Sequence, residues 1–142
     1  MNKIKLILIL AIFALAGCEK ETVIKENDLP AEIKTFITTH FPANPIIQSV
    51  KDRDGLELTY DVILEGNISL EFNRKKQITD VDGIAKLPDS LIPSSILNYV
   101  STNYSGNVIT GWELDDRNQQ ITLDNGLELE FSMPGVFLRI DS

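Results

Sequence analysis

A nine-residue stretch occurs twice in this 142-residue chain and constrains its fold more than any other feature. Residues 64–72 read LEGNISLEF, residues 123–131 read LDNGLELEF, and four of the nine positions are identical. Each copy has an apolar strand end, a turn containing Gly and Asn, and a strand in which apolar and polar residues alternate. The repeat therefore predicts two antiparallel β-hairpins of similar build.

A helical pattern precedes each hairpin and extends the repeat. Both patterns begin at a proline, Pro30 or Pro93, which suits the first turn of a helix. The four apolar positions at helical spacing are Ile33, Phe36, Ile37 and Phe41 in the first half, and Ile96, Tyr99, Val100 and Tyr104 at an offset of 63. The sequence thus predicts an α+β fold of two tandem units. Each unit has one helix followed by about four antiparallel strands, and the helices lie on one face of the sheet.

The register of the repeated hairpin follows from its alternating residues. A two-residue loop at Asn125-Gly126 would mix apolar and charged side chains on both faces of the sheet. A three-residue loop of residues 124–126 pairs Leu123 with Leu127 and Ile121 with Leu129, so the apolar residues share one face. This loop needs a left-handed residue at Gly126, and the first copy needs one at Asn67. Positive φ is predicted at both.

The first residues indicate export. Lys3 and Lys5 form a short basic start, and residues 4–16 are apolar apart from Lys5. This apolar run is too short for a good membrane-spanning helix and is typical of a signal peptide. Leu15-Ala16-Gly17-Cys18 resembles a bacterial lipobox, which implies cleavage before Cys18 and its acylation. An ordinary signal peptide with an incidental cysteine is the alternative. We expect a signal peptide at 1–17, a charged tether at 18–28, and one domain at 29–142 with repeats at 29–83 and 92–142.

The charge of the mature chain excludes one class of partner. Without Lys3 and Lys5, 11 of the 13 basic residues remain against 21 acidic ones, a formal charge of −10 with His neutral. Such a surface repels nucleic acid, which is the excluded class, and anionic lipid head groups as well. The expected location is the cell envelope, periplasmic or surface-exposed, with the lipid on Cys18 in the outer membrane.

Catalytic and metal-binding patterns are weak. The lone histidine, His40, has no cysteine partner, and no serine stands in a Ser-His-Asp pattern with it. The acidic pairs at Asp52/Asp54 and Asp80/Asp82 are followed by glycine too early for an EF-hand calcium loop and suit turns better. We therefore expect no enzyme, no cofactor and no metal site, with adventitious calcium binding left open.

Alternation along the strands predicts one acidic sheet face opposite the helices. Its acidic members are Glu57, Asp61, Glu71, Glu113, Glu128 and Glu130, with Thr59, Ser69, Gln120 and Thr122 between them. A solvated face is common in antiparallel sheets and is one interpretation. The other is a docking surface for a basic protein or peptide, because charge speeds and directs association.

The sequence also resembles a known family, the PepSY-like, β-lactamase-inhibitor-like lipoproteins of Bacteroidetes. The residues that carry the resemblance are Leu29-Pro30, Ile33-Lys34, Phe36-Ile37, His40-Phe41-Pro42, 123–131 and 137–141. The resemblance implies a PepSY-like domain in a periplasmic or surface-exposed protein without known catalytic residues. It also implies a kinship of fold with inhibitors that dock through an open sheet face.

Two functional hypotheses follow. The first is a lipid-anchored, non-enzymatic envelope protein that binds a protein or peptide through the acidic sheet face. The alternative is a small-ligand or calcium-binding envelope lipoprotein. Fold alone does not choose between them.

Overall fold

The computed structural model describes residues 20–141, which form an α+β fold. Two α-helices lie in this part of the chain, α1 (Ala31–His40) and α2 (Ser94–Asn103). Nine strands also lie in it: β1 (Thr22–Val23), β2 (Ile46–Asp54), β3 (Glu57–Leu64), β4 (Ile68–Phe72), β5 (Ile78–Asp82), β6 (Ile109–Leu114), β7 (Asn118–Leu123), β8 (Glu128–Ser132) and β9 (Phe137–Asp141). Short 3₁₀ turns at Glu26–Asp28 and Asp89–Leu91 precede the helices.

The nine strands form one antiparallel sheet whose strand order follows the chain from β1 to β9. Every strand therefore pairs with its neighbours in sequence. The pairing of β5 with β6 joins the strands before α2 to those after it, through Asp80 and Glu113, Val81 and Trp112, and Asp82 and Gly111. The sheet is continuous across this seam.

The strand count exceeds the predicted count of about eight because of β1. The charged composition of residues 18–28 suggested a tether, yet Thr22 and Val23 pair with Lys51 and Val50 of β2. Beside them, the Ile24 amide donates to the Ser49 carbonyl at 2.9 Å. Backbone pairing at a sheet edge needs no apolar pattern, so composition did not reveal this strand.

The predicted hairpin geometry is confirmed in both copies. Ile121 pairs with Leu129, and the Gly126 amide donates to the Leu123 carbonyl at 2.8 Å. Gly126 has a φ of 82° and Asn67 a φ of 57°. The first copy differs in one detail, because Gly66 also has a positive φ, 93°.

The alternating apolar residues form the core. Leu70, Val81, Trp112, Ile121 and Leu129 are paired in turn across five adjacent strands, so they share one sheet face. Each is buried. Burying a large apolar side chain contributes about 1.5–3 kcal/mol, so this row is a main source of stability.

Aromatic side chains bring each helix against the sheet. Phe36 of α1 meets Phe72 of β4 edge-on, with ring centroids 5.3 Å apart. Tyr99 of α2 meets Phe131 of β8 in the same way, also at 5.3 Å. Phe72 and Phe131 are fully buried and follow the apolar row along their strands. The helices thus contact the apolar residues of the sheet. The residues that alternate with these apolar residues along each strand point to the opposite face of the sheet.

Candidate binding face

Four carboxylates lie side by side on the polar face of the sheet. Asp61 of β3 pairs with Glu71 of β4, which pairs with Asp80 of β5, which pairs with Glu113 of β6. Directly paired residues in antiparallel strands have Cα atoms about 4.5–5.5 Å apart and share a face. We call these four residues the acidic row. They form a line of negative charge across four strands and across the β5–β6 seam.

Beyond Glu113 the line continues, but its charges have partners. Glu113 pairs with Gln120, then Glu130, then Arg139 at the sheet edge. Arg139 Nε lies 2.5 Å from Glu130 Oε2, and Asn118 donates to the other oxygen of Glu130. This part of the face is internally neutralised.

The acidic row has no such compensation in the described part of the chain. No Lys or Arg of residues 20–141 forms an ion pair with any of its four members. Only Glu71 accepts a side-chain hydrogen bond there, from Thr79 Oγ1 at 2.9 Å. The row is therefore a concentration of negative charge that no side chain of residues 20–141 neutralises.

Partial burial and the crowding of these charges raise the pKa values of two members of the row. Partial burial, with the charges of Glu113, Glu71 and Asp82, raises the pKa of Asp80 to about 6. Partial burial, then Glu71, raises the pKa of Asp61 as well. Both shifts have the sign expected for carboxyl groups desolvated beside like charges. A cation placed on the row would relieve them.

The pKa of Asp80 predicts a pH-dependent stability. The folded chain holds this proton more tightly than the unfolded chain, so stability falls as pH rises from about 4 to about 6. Asp80→Asn removes the charge, and we expect it to raise the free energy of unfolding by about 1 kcal/mol at neutral pH, after discounting for solvent screening. Denaturant unfolding at several pH values measures this difference.

Glu65→Gln is the matched control for that measurement. Glu65 is an exposed carboxylate in the β3–β4 turn, away from the row. Its replacement should leave the pH profile unchanged. If Asp80→Asn raised the free energy of unfolding equally at pH about 4 and at neutral pH, the charge of Asp80 would not be the cause of the gain.

A shallow depression of about 510 Å³ lies beside the row on the same face. Gly111 of β6 lines it, and a Cβ on Gly111 would lie 3.0 Å from Thr122 Cβ. Asp82, Glu128 and Asp141 also line the depression. Thr122 thus takes up the space that a Cβ on Gly111 would need, and the depression borders Asp80 and Glu113 of the row.

The predicted face residues fall into three places. Asp61, Glu71 and Glu113 lie in the acidic row, and Glu130 lies in the continuation of the row at β8. Glu128 is in the next cross-strand row, where Gln120 Nε2 donates to it at 2.8 Å. Glu57 is exposed at the far end of β3, about 13 Å along the strand from Asp61.

Asp80 and Asp82 belong to this face although the sequence pattern favoured a turn for this acidic pair. Both residues lie in β5 with Val81 buried between them. The polar-apolar-polar alternation of Asp80, Val81 and Asp82 was the signal that could have placed them. The shortness of the pattern and the Gly83 that follows made a turn equally consistent.

His40 has a structural contact that the sequence did not predict. Its Nδ1 lies 2.8 Å from Ser90 Oγ, which links the end of α1 to the 3₁₀ turn before α2. Partial burial lowers the pKa of His40. No carboxylate of residues 20–141 is hydrogen-bonded to this imidazole. Among these residues, His40 and Ser90 therefore lack the acidic third member of a catalytic triad.

The described residues contain no group of three or more Asp, Glu, His or Cys side chains arranged to hold a metal ion. No helix among them is long and apolar enough to cross a membrane. Cys18 and the predicted signal peptide lie outside the described residues.

Comparison with known proteins assigns the chain to a family. The family model described as "Putative beta-lactamase-inhibitor-like, PepSY-like" matches residues 16–78 and again 58–139. The two matches together cover most of the sequence. The chain belongs to this PepSY-like family, and the resemblance inferred from its motifs is confirmed.

Three solved structures have the same fold. A "putative periplasmic protein" from Bacteroides vulgatus is 33% identical over 89% of this chain and all of its own, with a TM-score of 0.82. A "putative calcium-regulated periplasmic protein" from Bacteroides thetaiotaomicron is 28% identical over 86% of this chain and 97% of its own, with a TM-score of 0.82. Another protein from Bacteroides vulgatus, described as of unknown function, is 30% identical over 87% and 100%, with a TM-score of 0.81. No curated protein matched.

Proposed function

We propose that this protein is a lipid-anchored, non-enzymatic component of the cell envelope that binds a basic segment of a protein or peptide on its acidic sheet face. The carrying observation is the acidic row, four adjacent carboxylates without a cationic partner among the described residues. The raised pKa of Asp80 means that a bound cation would gain favourable interactions there.

The envelope location is supported from two sides. The first residues have the pattern of a signal peptide that ends in a lipobox at Cys18. The related solved proteins are described as periplasmic. Acylation with more than one chain would hold such a protein stably at a membrane.

The open face fits an architecture of two tandem units with both helices on the other side of the sheet. The contacts of Phe36 with Phe72 and of Tyr99 with Phe131 support this placement, because both sheet residues belong to the apolar face. The family description as inhibitor-like suits a protein that acts by docking. In this proposal the polar face, and the acidic row in particular, is the docking surface.

The spacing of the carboxylates in the row indicates what kind of segment could bind there. Four strands spaced about 4.8 Å apart place the outer carboxylates about 14 Å apart. An extended segment laid across the strands, with Lys or Arg at alternate positions, would bring a cation to each pair of carboxylates. Flexible lysine or arginine side chains suit this surface better than a compact cation does, because the carboxylates lie in a line.

Site-specific photocrosslinking in the native envelope tests the proposal. A crosslinker at Ser69, which is beside the row on β4, should capture a protein or peptide partner. The same group at Thr38, exposed on α1, is the control and should not capture it. Asp80→Lys should abolish the Ser69 product by placing a cation within the row.

Two results would count against the proposal. One is equal capture from Ser69 and Thr38. The other is a Ser69 product that Asp80→Lys leaves unchanged while the variant is folded by circular dichroism. Either result would mean that the charge of the row does not select the partner.

Calcium binding is the second candidate, favoured by the description of one relative as calcium-regulated. The row offers oxygen ligands, but the described residues bring no three acidic side chains together around one point. A calcium ion would therefore bind with water completing its shell and with an affinity at the weak end, about 10⁻⁴–10⁻³ M. A calcium-dependent rise in melting temperature that Asp80→Asn removes would support this candidate over peptide binding.

A further inference from the structure

The start of the described chain is fixed to the tip of the β2–β3 hairpin. The Lys20 amide donates to the Arg53 carbonyl at 3.0 Å, and the Arg53 amide donates back to Lys20 at 3.3 Å. Cys18 precedes Lys20 by two residues, which span at most about 7 Å in any conformation. A lipid on Cys18 would therefore lie close to this tip.

The tip extends beyond the rest of the sheet. Ile46 and Ile109 begin β2 and β6 at equivalent places, paired with Leu64 and Leu123 of the repeated hairpins. From there β2 runs for nine residues and β6 for six, so the β2–β3 hairpin is longer by about 10 Å. Leu56 at its turn is 90% exposed, the highest value among the exposed large apolar residues.

A basic turn lies at the same end of the sheet. In an antiparallel sheet that follows chain order, the β2–β3 and β4–β5 turns share one end and are about 10 Å apart in the direction across the strands. The β4–β5 turn contains Arg74, Lys75 and Lys76. Asn73 fixes this turn, since its side-chain oxygen accepts from the Lys75 amide at 2.9 Å.

Charge is distributed unevenly between the two ends. Six of the 11 basic residues in residues 20–141 lie at the tip end, together with acidic residues that include Asp54, Glu57, Asp115 and Asp116; the six are Lys20, Arg53, Arg74, Lys75, Lys76 and Arg117. The turns at the opposite end, residues 65–67 and 124–126, contain Glu65 and Asp124 and no basic residue. The β4–β5 turn has three basic residues and no acidic one, so it is the part of this end that suits anionic phospholipid headgroups.

The backbone conformation of Lys76 is a second sign that positive charge matters at this turn. Its φ of 62° is a left-handed conformation that glycine adopts at lower cost. At the equivalent position of the second half, in the β8–β9 turn, the residue is Gly135. The first half keeps a lysine where the backbone favours glycine.

We infer that the β2–β3 tip and the basic β4–β5 turn form a membrane-contacting end, which rests on the phospholipid surface with Leu56 in the headgroup region. The inference rests on the proposed anchoring at Cys18 and adds an orientation to it. The strands then stand away from the bilayer, and the acidic row faces the periplasmic space sideways instead of the membrane. The lipid on Cys18, which is only two residues from Lys20, and the contact of the basic β4–β5 turn would together fix the orientation. An acyl chain on a long linker would leave the orientation free.

The test uses the acylated full chain in vesicles of phosphatidylethanolamine and phosphatidylglycerol with a nitroxide-bearing lipid. Leu56→Cys provides a single free thiol for a fluorophore, because Cys18 is acylated. Glu65→Cys is the matched control, since Glu65 is exposed at the other end of the same strand, about 30 Å away. We expect the nitroxide lipid to quench the label at position 56 and to leave the label at position 65 bright.

A second arm tests the basic turn. Arg74→Glu with Lys75→Glu should reduce the quenching at position 56 in anionic vesicles and have little effect in phosphatidylcholine alone. Each basic residue near an anionic surface changes binding by about fivefold, so the pair should have a clear effect. Lys34→Glu on α1 is the charge control and should leave the quenching unchanged.

Flotation of the same samples with the vesicles distinguishes a failure of the anchoring at Cys18 from a failure of the proposed orientation. If the acylated chain does not float with vesicles, or Cys18→Ser floats equally well, the anchoring fails and the inference fails with it. If the chain floats but both labels stay bright, or both are quenched alike, the orientation alone is overturned. Quenching at position 56 that the Arg74→Glu, Lys75→Glu variant leaves intact overturns the role of the basic turn.

Discussion

Replacing Gly135 with alanine is expected to lower the free energy of unfolding by about 3 kcal/mol. Gly135 is in the β8–β9 turn with a φ of 86°, which strains any L side chain. An added Cβ would also lie 1.9 Å from Ser95 Oγ and 3.1 Å from Ser95 Cβ, at the start of α2. The backbone strain and the steric overlap add, and denaturant unfolding measures the sum.

Gly126→Ala separates the two causes. Gly126 has a similar φ of 82° in the β7–β8 turn, but an added Cβ would meet no atom within 4 Å. Gly126→Ala should lower the free energy of unfolding by only about 1 kcal/mol, which is the cost of the backbone strain alone. Combining Gly135→Ala with Ser95→Ala should recover part of the loss. Equal costs at positions 135 and 126 would show that α2 does not press on this turn.

Binding of a lysine-rich peptide to the acidic face is expected to weaken about tenfold between pH 7 and pH 5. The pKa of Asp80 is about 6 in the free protein, and a bound cation would lower it, so binding at lower pH must first remove a proton. Titration calorimetry at several pH values measures the change. In buffers of different ionisation enthalpy it also detects the released proton.

Asp80→Asn is the informative variant for this measurement. It should bind more weakly at neutral pH and show a flatter pH dependence between about 5 and 7, because the titrating group is gone. Glu65→Gln, outside the face, should behave as the unchanged protein does. A wild-type affinity that does not vary over this range would remove Asp80 from the contact.

The sequence was most informative where two constraints agreed. In residues 123–131 the Leu and Glu alternation fixed which residues share a face, and Gly126 fixed where the loop ends. The pairing of Ile121 with Leu129 follows from both. Such agreement between turn chemistry and alternation is why hairpin register could be predicted from one sequence.

The sequence was least informative where structure depends on neighbours distant in the chain. Strand β1 exists because β2 offers a free edge to Thr22 and Val23, which have no pattern of their own. Asp80 and Glu113 meet only because β5 pairs with β6 across α2. The concentration of positive charge at one end likewise depends on which turns share that end.

The β5–β6 seam also bears on how the chain folds. Most strand pairs here join neighbours along the chain and close short loops, whereas Asp80 and Glu113 are 33 positions apart. Pairs that close long loops tend to form late, so the two half-sheets can form before they join. The seam has three paired positions, and one of them opposes two carboxylates. Like charges directly opposite each other are unfavourable, so we expect the carboxylates that would meet a partner also to oppose the joining of the two half-sheets.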